Sequence, residues 1–306
     1  MTNPIQPKEP LPKAVRRVAR EIVDGALDAV GSGEANPEEA IHLLRKSCKE
    51  MRALVRLVRD EIGNAVYRRE NDFYRDLARR YSDRRDRWVF IGVLSDTLVP
   101  PESTEDDPVR ELLRNAGKKL LRHHRDISGS GRPEGFVEVE EQLVAARKRI
   151  DRWPVGDEGF GTIRRSIERV YRRGRERMRD ALVNPSSQSR HEWRKRAKYL
   201  YHQLGFLRCL WPEVMETLES EQHRLSDLLG EEHDLAELKE MLASHPELAG
   251  GEQALPAIEG LVSHRQDELL ARAWPLGARL YAESTDRFAD RLEAYWNVSR
   301  PDAGET

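Results

Sequence analysis

Two stretches of the chain carry the same chemistry. Residues 41–52 read IHLLRKSCKEMR and residues 190–201 read RHEWRKRAKYLY. Each sets a histidine first, Arg-Lys three and four residues later, and a lysine at the seventh step. His42, Arg45, Lys46 and Lys49 thus correspond to His191, Arg194, Lys195 and Lys198 at a constant shift of 149. A repeat that keeps its charges as well as its apolar spacing points to a ligand rather than to a core. Lysine presents a point charge and arginine a bidentate fork to phosphate or carboxylate oxygens. The chemistry on offer is anion recognition.

On a helix turning about 100° per residue, His42, Arg45, Lys49, Arg52 and Arg56 share an arc of about 80°. Leu44, Cys48, Met51, Val55 and Val58 occupy the neighbouring arc. In the second copy His191, Arg194, Lys198 and Tyr201 form the matching stripe, with His202 beside its end. Trp193, Ala197, Leu200, Leu204 and Leu207 form the apolar arc. Like charges at these spacings repel by a few tenths of a kcal/mol per pair, roughly, and few acids lie along the stripes to offset them. An external anion would. Arg172 and Arg173, in the run YRRGR that precedes the second stripe, add to the basic set, and Lys119 and Arg122 are the corresponding candidates in the first half.

The histidines do not read as metal ligands, because neither His42 nor His191 has a histidine or carboxylate at i+3 or i+4. No metal or other cofactor is expected. Asp86 and Asp234 recur at a shift of 148, with Arg85 before one and His233 before the other. As catalytic acids they would want a metal or a paired carboxylate in the site. They read instead as salt-bridge partners that orient stripe arginines.

The elements that carry these residues read as helical throughout. Of the 306 residues 35% are charged and 38% hydrophobic, as in a helix-rich chain with wide solvated faces. The spacing of apolar residues and of Gly, Pro and Asn predicts helices over roughly 11–30, 37–61, 66–98, 106–126, 134–152, 160–183, 187–210, 212–243, 252–273 and 276–297. Asn36-Pro37-Glu38-Glu39 and Trp211-Pro212-Glu213 are helix starts. VRRVAREI near residue 15 recurs as IRRSIERV near 163. Each half is a unit of about four helices, residues 11–127 and 159–297, joined by 128–158. Residues 1–10 and 298–306 are expected to be flexible, and the six tryptophans to lie in the core. Two such halves should pack about a pseudo-twofold axis and turn their repeated faces to a shared centre.

Charge and apolar content exclude several classes. The net charge of −2 hides a segregation: residues 164–209 carry 14 Lys/Arg against 4 Asp/Glu, and residues 210–306 carry 8 against 21. No stretch approaches the ~20 apolar residues of a membrane span, and the N-terminal residues lack the apolar core of a secretory signal. Cys48 and Cys209 are isolated, which argues against a disulfide framework or a zinc site. The expected location is the cytoplasm. Parallel basic stripes suit a linear polyanion. Nucleic acid is disfavoured, because the stripes lack interleaved aromatics for stacking and no helix-turn-helix, zinc-finger or RNP signature occurs. A base-free polyanion, inorganic polyphosphate, fits better.

The pattern H-x-x-R-K-x-x-K-x-x-R, followed by a long helix ending in RD or LGxxHDL, resembles the conserved histidine α-helical domain (CHAD) family. HEWRKRAKYLYHQL, LLGEEHDLAEL and YRRGRERMR carry the closest likeness, and the resemblance spans about residues 11–297. It implies two four-helix units with internal pseudo-symmetry, a basic central channel that binds inorganic polyphosphate, and association with polyphosphate granules. It carries that role onto His42, Arg45, Lys46, Lys49, Arg52, His191, Arg194, Lys195 and Lys198; Tyr201 stands where the family often has arginine. CHAD units are often fused to a CYTH-type triphosphatase marked by an E-x-E-x-K strand. Here Glu138-Val139-Glu140-Glu141-Gln142 lacks that lysine, so a binding module without hydrolase activity is expected. A metal-dependent phosphohydrolase acting on polyphosphate or triphosphate, or a helical interaction scaffold, is the alternative. Oligomeric state is not legible in the sequence.

Overall fold

The computed structural model describes residues 4–99, 107–128, 131–156 and 159–300. Among them the chain is all-α, with twelve α-helices and no strand. The first half contains α1 (Leu11–Gly31), α2 (Pro37–Leu57), α3 (Arg59–Arg79), α4 (Ser82–Gly92) and α5 (Pro108–Ser128). α6 (Phe136–Ile150) follows. The second half contains α7 (Gly161–Val183), α8 (Ser187–Phe206), α9 (Pro212–Ser244), the single turn α10 (Pro246–Ala249), α11 (Leu255–Leu280) and α12 (Thr285–Ser299). No helix among the described residues is long and apolar enough to cross a membrane.

Local chemistry sets the boundaries. Asn36 Oδ1 accepts the Glu39 N–H at 3.3 Å and Pro37 opens α2, which satisfies a helix-end donor and presets φ for the first turn. Ser186 and Ser189 close a capping box at the start of α8. The helix predicted over 66–98 is instead divided. It breaks at Tyr81, whose ring meets Phe136 edge-on at 5.2 Å and whose hydroxyl donates to Glu134 O at 3.0 Å. Beyond α4 the chain widens into a π turn, Val93–Thr97. Gly63, at φ 75°, kinks α3 near its start. The division predicted at 273–276 also moves, because α11 runs through Pro275 and ends at Leu280. Ser284 then caps α12 by accepting the Arg287 N–H at 3.3 Å.

In the first half α2 packs between α1 and α3, α6 covers α1, and α4 pairs with α5. In the second, α8 packs between α7 and α9, α11 lies along α9, and α12 along α7. The halves meet where α2 lies against α8, flanked by α3 on α7 and α4 on α9. The apolar arcs of α2 (Leu44, Cys48, Met51, Val55) and α8 (Trp193, Ala197, Leu200, Leu204) are all buried. That burial fixes the rotation of both helices and leaves the adjacent basic stripes to face the other half.

Several expectations need correction. Residues 4–10 are anchored rather than loose: Ile5 is buried, its N–H donates to Phe206 O at 2.9 Å, and Arg17 donates to Pro4 O at 2.9 Å. Arg300 stacks over Trp296 at 4.0 Å and donates to Glu9 O at 2.6 Å. Residues 1–3 of the expected N-terminal segment and 301–306 of the expected tail lie outside the described residues, as do 129–130 and 157–158 of the connection. That connection is more than a tether, since α6 buries Val139, Leu143, Ala146 and Ile150. Trp88 and Trp211 are exposed rather than core.

α11 approaches α8 closely because Gly277 has no side chain. A Cβ there would stand 2.6 Å from Trp193 Cζ2, and Trp193 cannot yield because it stacks on Trp274 at 4.6 Å. Gly277→Val is therefore expected to destabilise the fold by about 1–3 kcal/mol, the usual cost of overpacking. Chemical denaturation with urea measures it.

Candidate functional site

The crossing of α2 and α8, closed by α4 and α9, encloses a cavity of about 350 Å³. α2 contributes His42, Arg45, Lys46 and Lys49; α8 contributes Arg194, Lys198, Tyr201 and His202; α4 contributes Arg85 and Asp86; α9 contributes His223, Asp227 and Asp234. Six Lys/Arg side chains thus face three carboxylates. A second cavity of about 620 Å³ shares Lys49, Arg85, Arg194, Lys198, Asp227 and Asp234 and extends past the exposed Trp88 to the π turn.

Crowding of like charges away from water shapes the electrostatics. Lys49 is half-buried and makes no ion pair with any described residue. Burial, followed by the charges of Arg194, Arg45 and Lys198, brings its ammonium down to about 7. Burial also lowers Lys198 and Arg85. His42 is lowered by burial and by Arg85, and the buried His202 by burial and by Lys198 and Lys49. The carboxyl of Asp86 is pushed up to about 6 by burial, although Arg45 opposes the shift. Asp234 is also raised by burial, opposed by Arg194. Each charged group here is costly because the cavity wall replaces water, and an incoming anion would offset that cost for the cations.

Arg45 is held in place. Its Nη1 donates to Ala78 O at 2.9 Å and its Nη2 lies 3.8 Å from Asp86 Oδ1. Asp86 thus lies within ion-pair distance of Arg45. Asp234 makes no salt bridge among the described residues and acts on Arg194 and Lys49 through space.

The family model described as CHAD domain matches residues 13–243, more than half of the chain. The chain belongs to the CHAD domain family. No curated protein matches it. The matched residues run from α1 into the last turn of α9, so α11 and α12 of this CHAD protein lie beyond them.

The other expected site residues line neither cavity. Past Lys49 the stripe of α2 turns away: Arg52 Nε and Arg56 Nη2 both donate to Asn71 Oδ1 at 3.3 Å, and Arg56 lies 3.9 Å over the Tyr199 ring. The reason is the crossing itself, since Tyr199 on α8 occupies the space the stripe would sweep through. Lys195 pairs with Glu192 one turn back. His191 meets His233, Nδ1 to Nε2 3.1 Å, and is lowered to about 4 by burial and by that neighbour. His233 in turn pairs with Glu237 at 3.1 Å. Arg172 is exposed and pairs with Glu176 at 3.2 Å, and Arg173 is exposed among Arg196, Arg169 and Arg59. On α5, Lys119 donates to Glu247 O at 3.2 Å and Arg122 is exposed.

Sequence reasoning did not select Arg85, which lines both cavities, nor Asp227 and His223 of α9. Arg85 had a signal, because the repeat aligns it with His233. The two positions prove to be the near neighbours of His42 and His191 respectively.

Lys49 provides a test of this electrostatic environment. Its folded-state value of about 7 lies below the 10.5 of a free lysine, so its charged form disfavours folding. The penalty is complete below pH 7, shrinks between 7 and 10.5, and vanishes above. Lys49→Met is expected to stabilise the ligand-free protein at pH 6, with the gain declining as pH rises from 7. Urea unfolding across that pH range measures it.

Proposed function

We propose that this CHAD protein binds inorganic polyphosphate in the cavity between α2, α8, α4 and α9, and that it does so without hydrolysing it. The observation that carries the reading is the convergence of Arg45, Lys46, Lys49, Arg85, Arg194 and Lys198 from three helices on one cavity. Membership of a family associated with polyphosphate and triphosphate binding supports it. A string of phosphates answers every one of these cations with oxygens and asks for no base recognition. Nucleic acid satisfies the charge but leaves its bases without a stacking platform. The cytoplasm, at polyphosphate granules, is the location that follows from such a ligand.

Lys49 and Lys198 are the residues on which affinity should depend. A charge-assisted hydrogen bond contributes about 1.5–3 kcal/mol, or roughly 10- to 150-fold in affinity. Lys49→Ala/Lys198→Ala is expected to weaken binding of long-chain polyphosphate by at least that factor, and affinity for the unaltered protein should fall steeply with added salt. Calorimetric titration at several salt concentrations tests both; undiminished binding by the double variant would remove the cavity from the reading.

Binding should also tighten as pH falls from 8 to 5.5. Lys49 gains its charge below about 7, and Asp86 loses its charge below about 6. Both steps make the wall more positive, and a bound polyanion would raise both values further. Titrations at pH 8, 7 and 5.5 check the direction.

The second reading, a metal-dependent phosphohydrolase, draws on the carboxyl groups of Asp86, Asp227 and Asp234 that line the same cavity. Release of phosphate from polyphosphate or triphosphate with magnesium or manganese, lost in Asp86→Asn, would favour it over binding alone.

A further inference from the structure

A separate groove of about 530 Å³ runs between the π turn and α5, outside the polyphosphate cavity. Its floor is apolar: Leu94 and Leu113 are fully buried, and Ile91, Val99 and Leu121 complete it. One wall is a row of cations, Arg110, Arg114 and Lys118, at successive four-residue steps of α5. Such steps set them about 6 Å apart along one helix face. Among the described residues no carboxylate lines the groove. None of the three cations forms a hydrogen bond or ion pair with any described residue, although arginines elsewhere in the chain are extensively paired, as Arg17 with Glu9 and Arg147 with Asp24.

Two backbone features form the floor. The π turn Val93–Thr97 widens the chain where it faces α5, and Leu94 and Ser95 of that turn both line the groove. Single π turns concentrate at functional sites because the extra residue costs stability. On the facing helix Gly117 is buried, and a Cβ placed there would touch Leu94 Cβ at 3.9 Å. Gly117 adds no side chain to the floor, although a Cβ there would sit at ordinary contact distance from Leu94. The volume lies within the range of small-molecule sites, roughly 300–1,000 Å³.

We infer that this groove binds a single-chain amphiphile with an anionic head, a carboxylate or phosphate group held by the α5 cations over an apolar tail. Charge complementarity selects the head, since three cations without a partner among the described residues border one side of the groove. The apolar floor selects the tail, since inorganic phosphate or polyphosphate would leave Leu94, Leu113 and Leu121 uncovered. The proposal is independent of what the central cavity binds.

Calorimetric titration with laurate and dodecyl phosphate, each below its micellar concentration, tests the inference, with dodecylammonium as the control. Both anions are expected to bind at one site, at least tenfold more tightly than dodecylammonium. Arg110→Glu/Arg114→Glu should weaken them at least tenfold, and Ser95→Trp, which places an indole in the groove, should abolish binding. Both variants should keep the unaltered protein's response to long-chain polyphosphate, whatever that response is. Equal binding of dodecylammonium, or undiminished binding by Ser95→Trp, would overturn the assignment. Attachment to anionic vesicles without affinity for the monomeric amphiphiles would replace it with a membrane surface.

Discussion

Everything in this structure turns on the contact between α2 and α8. Each helix buries its apolar arc within its own half, Leu44, Cys48 and Met51 on one side and Trp193, Ala197 and Leu200 on the other. What remains to face the opposite helix is the adjoining basic arc. Two positively charged surfaces are therefore pressed together by the apolar packing on either side of them. Burial first, and the charges of Arg194, Arg45 and Lys198 after it, depress the Lys49 ammonium. The hydrophobic packing tolerates this crowding, since each fully buried Leu or Trp contributes on the order of 2 kcal/mol. A core strong enough to hold like charges close together keeps these cations converged on one cavity without a rearrangement.

The same crossing explains what could and could not be read in advance. Heptad-like spacing was enough to place Leu44, Trp193 and their neighbours in the core and to put His42, Arg45, Lys49, Arg194 and Lys198 on facing stripes. It could not reveal where one helix passes over the other. Arg52 and Arg56 continue the stripe of α2 faultlessly in projection, yet they lie beyond the crossing, against Tyr199 and Asn71. A helical wheel has no axial coordinate for a partner, so it cannot tell a residue before the crossing from one after it.

Distance along the chain hid the rest. Arg85, Asp227 and His223 reach the cavity from α4 and α9, whose approach depends on tertiary packing. The break at Tyr81 that frees α4 to pair with α5 depends on Phe136 and Glu134, more than fifty residues away. Helix-start chemistry, by contrast, is local, and Asn36-Pro37 and Trp211-Pro212 were legible for that reason. The histidines that define the motif divide as well. His42 lines the cavity, while His191 meets His233 outside it. One spacing rule thus serves two physical roles in the two halves.

The contacts at the two ends of the described chain carry a consequence of a different kind. Ile5 is pinned to Phe206 at the end of α8, and Arg300, leaving α12, reaches Glu9. The first and last described residues are therefore neighbours, held against the same part of the fold. A chain arranged in this way behaves topologically almost as a ring. Polypeptide attached before α1 or after α12 would emerge from one place on the surface, and a short bridge would suffice to close the circle.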